Sequence, residues 1–506
     1  MNLAKIIEDH PADAQALVSR GRATTYGELR DQVASVRGGL VDLGLEPGER
    51  IATLIGNNWY FVVSYLAALG AGLVVVPLNP QSPAKALERE IANTGPAALI
   101  VGPTGRKSFD SIDRSTIPSI RHVVGAGFEP SDGIHLDVLL AADPVPIVDR
   151  EPTDLAVLIF TSGTAGHPKA AMLTHGNLIT NLRQVLATAP PEGPPAISAS
   201  DVAFGVLPCF HIYGLNVVLG LALVTGSSVV LIERFDPVSA IESIQKHRVT
   251  TIAGPPTMWA SFAGIPGVDP DSLATVRQGV SGAAKLPAEV ANVVEAKYGV
   301  KLEEGYGLTE ASPVVCSPTG TNAPIGSVGV PVPGLEVRLV DRENNDVLVG
   351  DAGEILVRGP NVFAGYWEDP ESTASVLDTD GWLHTGDVAV VDDDGFLYLV
   401  DRVKDLIIVS GFNVFPAEVE EVLLEHPAIE ACAVIGVPHP HTGEAVKAYV
   451  VPRAGLPIEE DDVIDFCASR LPRYKCPNKV WFVDQVPTAL TGKLLRRLLP
   501  SEGPST

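Results

Sequence analysis

"YFVVSYLAALGAGLVVVP", residues 60 to 77, is almost wholly apolar, yet Ser64, Gly70 and Gly72 interrupt it and it closes on three consecutive valines. Small-residue breaks followed by a β-branched run predict a helix leading into a buried strand, not a membrane span. "GLNVVLGLALVTGSSVVLI" (214 to 232) repeats the pattern. Buried parallel strands of α/β proteins read as such runs. Others stand at "RIATLIG" (50 to 56), "AALIVG" (97 to 102) and "DLAVLIF" (154 to 160), alternating with helical patterns. The expected fold class is therefore α/β, with doubly wound sheets in a large N-terminal domain.

From about residue 325 the chain becomes dense in glycine, valine and turn residues, which predicts a β-rich subdomain closing the first domain. After "VDDDGFLYLVDRVKD" (391 to 405) it turns α+β, with a helix expected around 415 to 427. We place a boundary near Asp401, giving an N-terminal domain over 1–400 and a small C-terminal one over 401–506. A length of 506 residues exceeds what one hydrophobic core supports.

The 61 acidic and 36 basic residues give a net charge of −25. That excludes non-specific binding to nucleic acid or an anionic membrane, so any polyanionic ligand must be held by local features. Five scattered cysteines without CxxC spacing suggest neither disulfides nor zinc. With no signal-peptide pattern at the start, a cytoplasmic protein without stable membrane insertion is expected. Residues 470 to 497 carry seven bases against Asp484 alone, an anion-binding face or a solvated one.

The densest motif is "FTSGTAGHPKAAMLTH" (160 to 175). Gly163 and Gly166 let backbone N–H groups converge on an anion, Thr161, Ser162 and Thr164 add hydroxyl donors, and Lys169 adds a point charge. Pro168 precedes the lysine, so the spacing is not that of a P-loop NTPase. The bland reading is a polar turn between strand and helix. "GYGLTE" (305 to 310) offers Tyr306 to lie flat against a purine, and Thr309 and Glu310 to reach a phosphate and a hydrated Mg²⁺. In "HTGD" (384 to 387), Asp387 suits two ribose hydroxyls, though such residues are commonly plain turn formers. "DRVKDLIIVSGFNVFPAEVEE" (401 to 421) and "PTALTGKLLRRLL" (487 to 499) follow, the latter setting Lys493 beside a glycine in a basic segment.

Together, and with "AALGAGLVVVPLNP" (67 to 80) and "GYWEDPEST" (365 to 373), these motifs resemble the adenylate-forming superfamily of acyl-CoA synthetases, aryl-CoA ligases, luciferases and peptide-synthetase adenylation domains. The resemblance covers essentially the whole chain. It implies ATP, Mg²⁺ and coenzyme A as cofactors and a small carboxylic acid as substrate. Thr161 to Lys169, with Ser162, Gly163, Thr164 and Gly166, would hold the β- and γ-phosphates. Lys493 would bridge carboxylate and α-phosphate, with the metal at Glu310 and Thr164. Tyr306 would flank the adenine, with Gly282 and Ala283 opposite and Gly307 and Thr309 alongside; Asp387 and Arg402 would hold the ribose. Asp401 is the implied hinge of a mobile C-terminal domain, and Gly411 the neighbour of CoA. His211, Tyr213, Leu215, Met258 and Leu308 are the implied acyl pocket, uncharged apart from the histidine, so a neutral apolar tail is expected. No aspartate lies between Asp201 and Asp236 to pair with an ammonium, which disfavours an α-amino acid. Two positions depart from the usual pattern: Ala165 replaces a threonine and Ala170 a glycine. A carrier protein as acceptor, or a non-catalytic binding protein, are the alternatives; the oligomeric state stays open, a homodimer being one option.

Overall fold

The computed structural model describes residues 1–161, 168–188, 195–402, 405–410, 412–488 and 494–502; the side chains of Arg402, Asn413 and Arg497 are outside the description. Two seven-stranded sheets dominate. One orders Ile134–His135, His122–Gly125, Ala98–Val101, Arg50–Leu54, Val74–Pro77, Leu155–Thr161 and Lys169–Thr174; the other orders Leu302–Glu304, Gln278–Ser281, Thr251–Gly254, Val202–Gly205, Ser228–Leu231, Gln15–Ser19 and Arg22–Thr25. In each, every pairing is parallel except the last, an antiparallel edge pair. The stretch 60 to 77 forms the helix Trp59–Gly70, buried from Phe61 onward, and then the strand Val74–Pro77. Residues 214 to 232 behave alike, a helical segment leading into Ser228–Leu231. Among the described residues no helix is long and apolar enough to cross a membrane.

A three-stranded sheet (Tyr306–Gly307, Val314–Ser317, Val330–Pro331) and a four-stranded antiparallel one (Glu336–Val340, Gly353–Arg358, Leu383–Val391, Leu397–Arg402) follow. The chain then builds a fifth sheet from Ile407–Val409 onward, with the helix Pro416–Leu424 packed on it. All five cysteines are free.

One helix fixes the motif loops. His175–Leu186 starts with a capping box between Thr174 and Asn177. Asn177, Asn181 and Gln184, spaced i, i+4 and i+7, form a buried polar stripe along it. Asn177 Nδ2 donates to the carbonyls of Pro360 and Val362 at 2.9 and 2.8 Å. The Asn181 side chain bonds both backbone groups of Val314, donating at 2.9 Å and accepting at 3.0 Å. Gln184 donates to Asn361, whose own amide donates to the Ala311 carbonyl at 2.8 Å. The segments after "GYGLT" and before "GYW" therefore hang from this helix.

Asn181→Ala would strand two backbone groups of Val314 in the interior, each costing about 1 to 3 kcal/mol. A drop in thermal midpoint of several degrees is expected; an unchanged midpoint would show that the stripe does not hold the loop.

Candidate active site

The parallel strands of the 278–304 region end at one rim, where ligands of open α/β sheets bind. Three buried polar atoms there lack a partner among the described residues: Tyr213 Oη, Ser281 Oγ and Glu304 Oε2. Ser281 and Glu304 are paired in register, and Tyr213 packs against Gly282, where a Cβ would lie 3.0 Å from its hydroxyl. Buried donors and acceptors are almost always satisfied, so their clustering marks a place built for an absent polar group. Ala283 follows in the left-handed region at φ 70°. Tyr213 and Glu304 line one cleft of about 2160 Å³, together with Lys169, Tyr306, Glu310 and Asp387.

Two of these groups contact one another. Tyr306, 7% exposed, donates from its hydroxyl to Asp387 Oδ2 at 2.8 Å. Burial and then the Asp387 charge push its phenol far above the ordinary range. Asp387 is aimed by Gly386 at φ 71° and by its own N–H, which donates to Thr385 Oγ1. Gly307 is required by close approach, since a Cβ would sit 2.2 Å from the Pro313 carbonyl. Leu308 follows as a bonded neighbour of Pro313, and Thr309 opens the 3₁₀ turn Thr309–Ala311 that carries Glu310.

Thr161 and Lys169 face each other at the end of the hairpin Leu155–Thr161 and Lys169–Thr174. Ser162, Gly163, Thr164, Ala165 and Gly166 lie outside the described residues, as do Lys493 and Gly411. The backbone of Arg402 pairs with Asp387 across two strands. Asp401 Oδ2 accepts the Ala417 N–H at 2.8 Å, and its carboxylate is 3.6 Å from the Arg496 guanidinium.

The structure brings only some of the expected acyl-pocket residues together. His211, Tyr213 and Leu308 line the cleft, whereas Leu215 and Met258 do not. Tyr213–Gly220 is a π-helical turn, a geometry frequent at functional sites, and it turns Leu215 into the main core. Met258 packs its thioether against Gly254 in a second core cluster. Val217, Val218 and Leu221 line the cleft instead. Their i+4, i+5 and i+8 spacing from Tyr213 was the available signal. Ile197, Ala253 and Val280 complete an apolar wall.

Among the described bases of the region 470 to 497, several pair with carboxylates elsewhere in the C-terminal part of the chain. Lys475 bonds Glu418, Lys479 bonds Glu460, and Arg496 forms a bidentate pair with Glu420. Arg473 is exposed. Among the described residues no group of three or more His, Cys, Asp or Glu could hold a metal, so a divalent ion here would take most of its ligands from substrate and water. Glu310 fits that role: its carboxylate lines the cleft and accepts a hydrogen bond from the Tyr366 hydroxyl at Oε1.

A model of the AMP-binding enzyme family matches residues 3–367, and one of the AMP-binding enzyme C-terminal domain matches residues 418–493. A feruloyl-CoA synthase of Amycolatopsis sp is 38% identical, covering 96% of this chain and 94% of its own. A long-chain-fatty-acid–CoA ligase of Bacillus subtilis is 34% identical, covering 99% and 94%. The crystal structure of ATP-bound MatB from Rhodopseudomonas palustris aligns with a TM-score of 0.89 at 32% identity, over 98% of both chains.

Burial pushes the Glu304 carboxyl up to about 7, opposed by the Leu286 N–H and the Lys285 charge. An unfolded glutamate ionises near 4.5, so its contribution to stability is full below that pH and is lost as pH rises to 7. Glu304→Gln keeps the acceptor for Leu286 and cannot ionise. It should match the wild type near pH 4.5 and exceed it at pH 8 by on the order of 3 kcal/mol. A gap independent of pH in denaturation curves would contradict this.

Proposed function

The chain belongs to the AMP-binding enzyme family, and from that membership we propose that it joins a carboxylic acid with a neutral apolar body to coenzyme A through an acyl-adenylate. The observation that carries this reading is the cleft onto which residues of three separate motifs, Lys169, Tyr306 with Glu310, and Asp387, all open beside an apolar wall. In the first step a carboxylate oxygen attacks the α-phosphorus of ATP and pyrophosphate leaves. In the second the CoA sulfur attacks the acyl carbon and AMP leaves.

Negative charge meets negative charge in the first step, so preorganised cations and donors must offset the repulsion. Lys169 and the loop before it take the β- and γ-phosphates, and Lys493 takes the carboxylate and the α-phosphate. Mg²⁺ held by Glu310 and Thr164 would neutralise part of the triphosphate charge. Tyr306 and the Gly282–Ala283 backbone enclose the adenine; Asp387 and Arg402 hold the ribose. His211, Tyr213 and Leu308 contact the acid, and Gly307 and Thr309 shape the turn between acid and phosphate. Catalysis is positioning and charge stabilisation, without a covalent enzyme intermediate.

We place the domain boundary at Asp401, where the four-stranded sheet ends and a carboxylate bonded to Ala417 and facing Arg496 links the last strand to the C-terminal region. Rotation there withdraws Lys493 and brings Gly411 to CoA. The five unpaired cysteines and the use of ATP and CoA suit the cytoplasm. A homodimer is the assembly we carry forward, to be read by light scattering.

Purified protein with MgATP and a panel of aliphatic and aryl acids should release pyrophosphate and consume CoA. Release indifferent to CoA would assign a carrier protein as acceptor, and no release with any acid would remove the proposal. Lys493→Ala should cut adenylation by about 10² to 10³, the effect of losing one preorganised charge stabiliser, while sparing thioester formation from supplied acyl-AMP. Asp401→Pro should leave adenylation and block CoA turnover; equal losses in both steps would refute the rotation.

A further inference from the structure

Three motifs meet at one side chain that none of the site assignments includes. Tyr366 stands in the segment 364–367, which continues the hairpin as an extra strand: Met172 N–H donates to the Gly365 carbonyl, Ala364 N–H to that of Met172, and Trp367 N–H to that of Ala170. The Tyr366 ring is fixed edge-on against Phe363 at 5.0 Å, and its own N–H donates to Thr373 Oγ1. Its hydroxyl donates to Glu310 Oε1 at 2.6 Å. On the ring face sits the Lys169 ammonium, 5.2 Å from the centroid. No ion pair joins Lys169 to Glu310 themselves. The remaining carboxylate nearby, Asp369, is held below its ordinary range first by Ser372 and only in small part by the Lys169 charge.

We propose that Tyr366 is a positioning residue that keeps Lys169 and Glu310 apart. Both charges are needed for ATP in the proposed reaction, and this inference rests on that reading. A lysine and a carboxylate that border one cleft collapse into a salt bridge unless something occupies the space, and that bridge must break before either can serve a phosphate or a metal. An aromatic ring meets the cation with its face and the anion with its hydroxyl, and leaves the ammonium donors and the second carboxylate oxygen open to a ligand. Lys169 and Glu310 are thereby held ready and unquenched.

The test is calorimetric binding of ATP with EDTA present, so that only the Lys169 side is read. Tyr366→Phe keeps the ring and should bind within about threefold of wild type. Tyr366→Ala opens the space, lets Lys169 close on Glu310, and should bind about tenfold more weakly. Adding Glu310→Gln to the alanine variant removes the partner and should return affinity to within about threefold of wild type. Recovery through a second substitution cannot come from an unfolded chain; if the alanine variant does not fold, Tyr366→Leu takes its place. A double variant as weak as the single one, or a phenylalanine variant as weak as alanine, overturns the spacer role while leaving the proposed function standing. Failure of the wild type to bind ATP at all overturns both.

Discussion

The polar stripe on the helix His175–Leu186 is the constraint on which the rest of the site depends. Loops that carry function need fixed backbones, yet the segments at 311–314 and 360–362 have little regular structure to satisfy their own peptide groups. Asn177, Asn181, Gln184 and Asn361 supply those bonds from the side. Asn216 does the same for Ser312 at 2.8 Å, reaching from the π-helical turn that carries Tyr213. Amides suit this task because each offers a donor and an acceptor without a charge to desolvate. Their arrangement ties the segments that carry Glu310, Tyr366 and Tyr213 to one helix.

Electrostatics explains why so acidic a chain has a site for a polyanion. Net charge acts over long range and is screened by salt, whereas the cleft sets its own potential with N–H groups at strand ends, Lys169 and a partly protonated Glu304. A buried glutamate whose proton is retained up to about 7 adds less repulsion than its formal charge suggests. Internal neutralisation of Lys475, Lys479 and Arg496 serves a different end: these bases hold the C-terminal sheet, helix and tail together.

Much of this was legible in the sequence, because the signals were local. Apolar runs gave the strands, and contiguous motifs located Tyr306, Glu310 and Asp387, which the fold then set on one cleft. What could not be read depended on tertiary partners. Asn177, Asn181 and Gln184 look like an exposed face of an amphipathic helix, since periodicity reports polarity and not burial. Leu215 packs into the core from a π-helical turn, which shifts the face by about one residue in each cycle relative to an α-helix. Tyr366 lay within a quoted motif, but its meaning requires Lys169 and Glu310 at the same point.

The two departures from the usual loop pattern separate on the same grounds. Ala165 lies outside the described residues, and its effect is a matter for the adenylation assay. Ala170 sits in the strand Lys169–Thr174, is 2% exposed, and packs in the core cluster that includes Met172 and Trp367. Extended geometry makes no use of glycine's extra freedom, and a methyl there restricts the unfolded chain while filling space beside Trp367. The Ala170 carbonyl also accepts the Trp367 N–H, one of the bonds that set the register of Tyr366 beside Lys169. The Lys169, Tyr366 and Glu310 arrangement depends on that register, since from it the Tyr366 ring reaches the ammonium and its hydroxyl reaches the carboxylate.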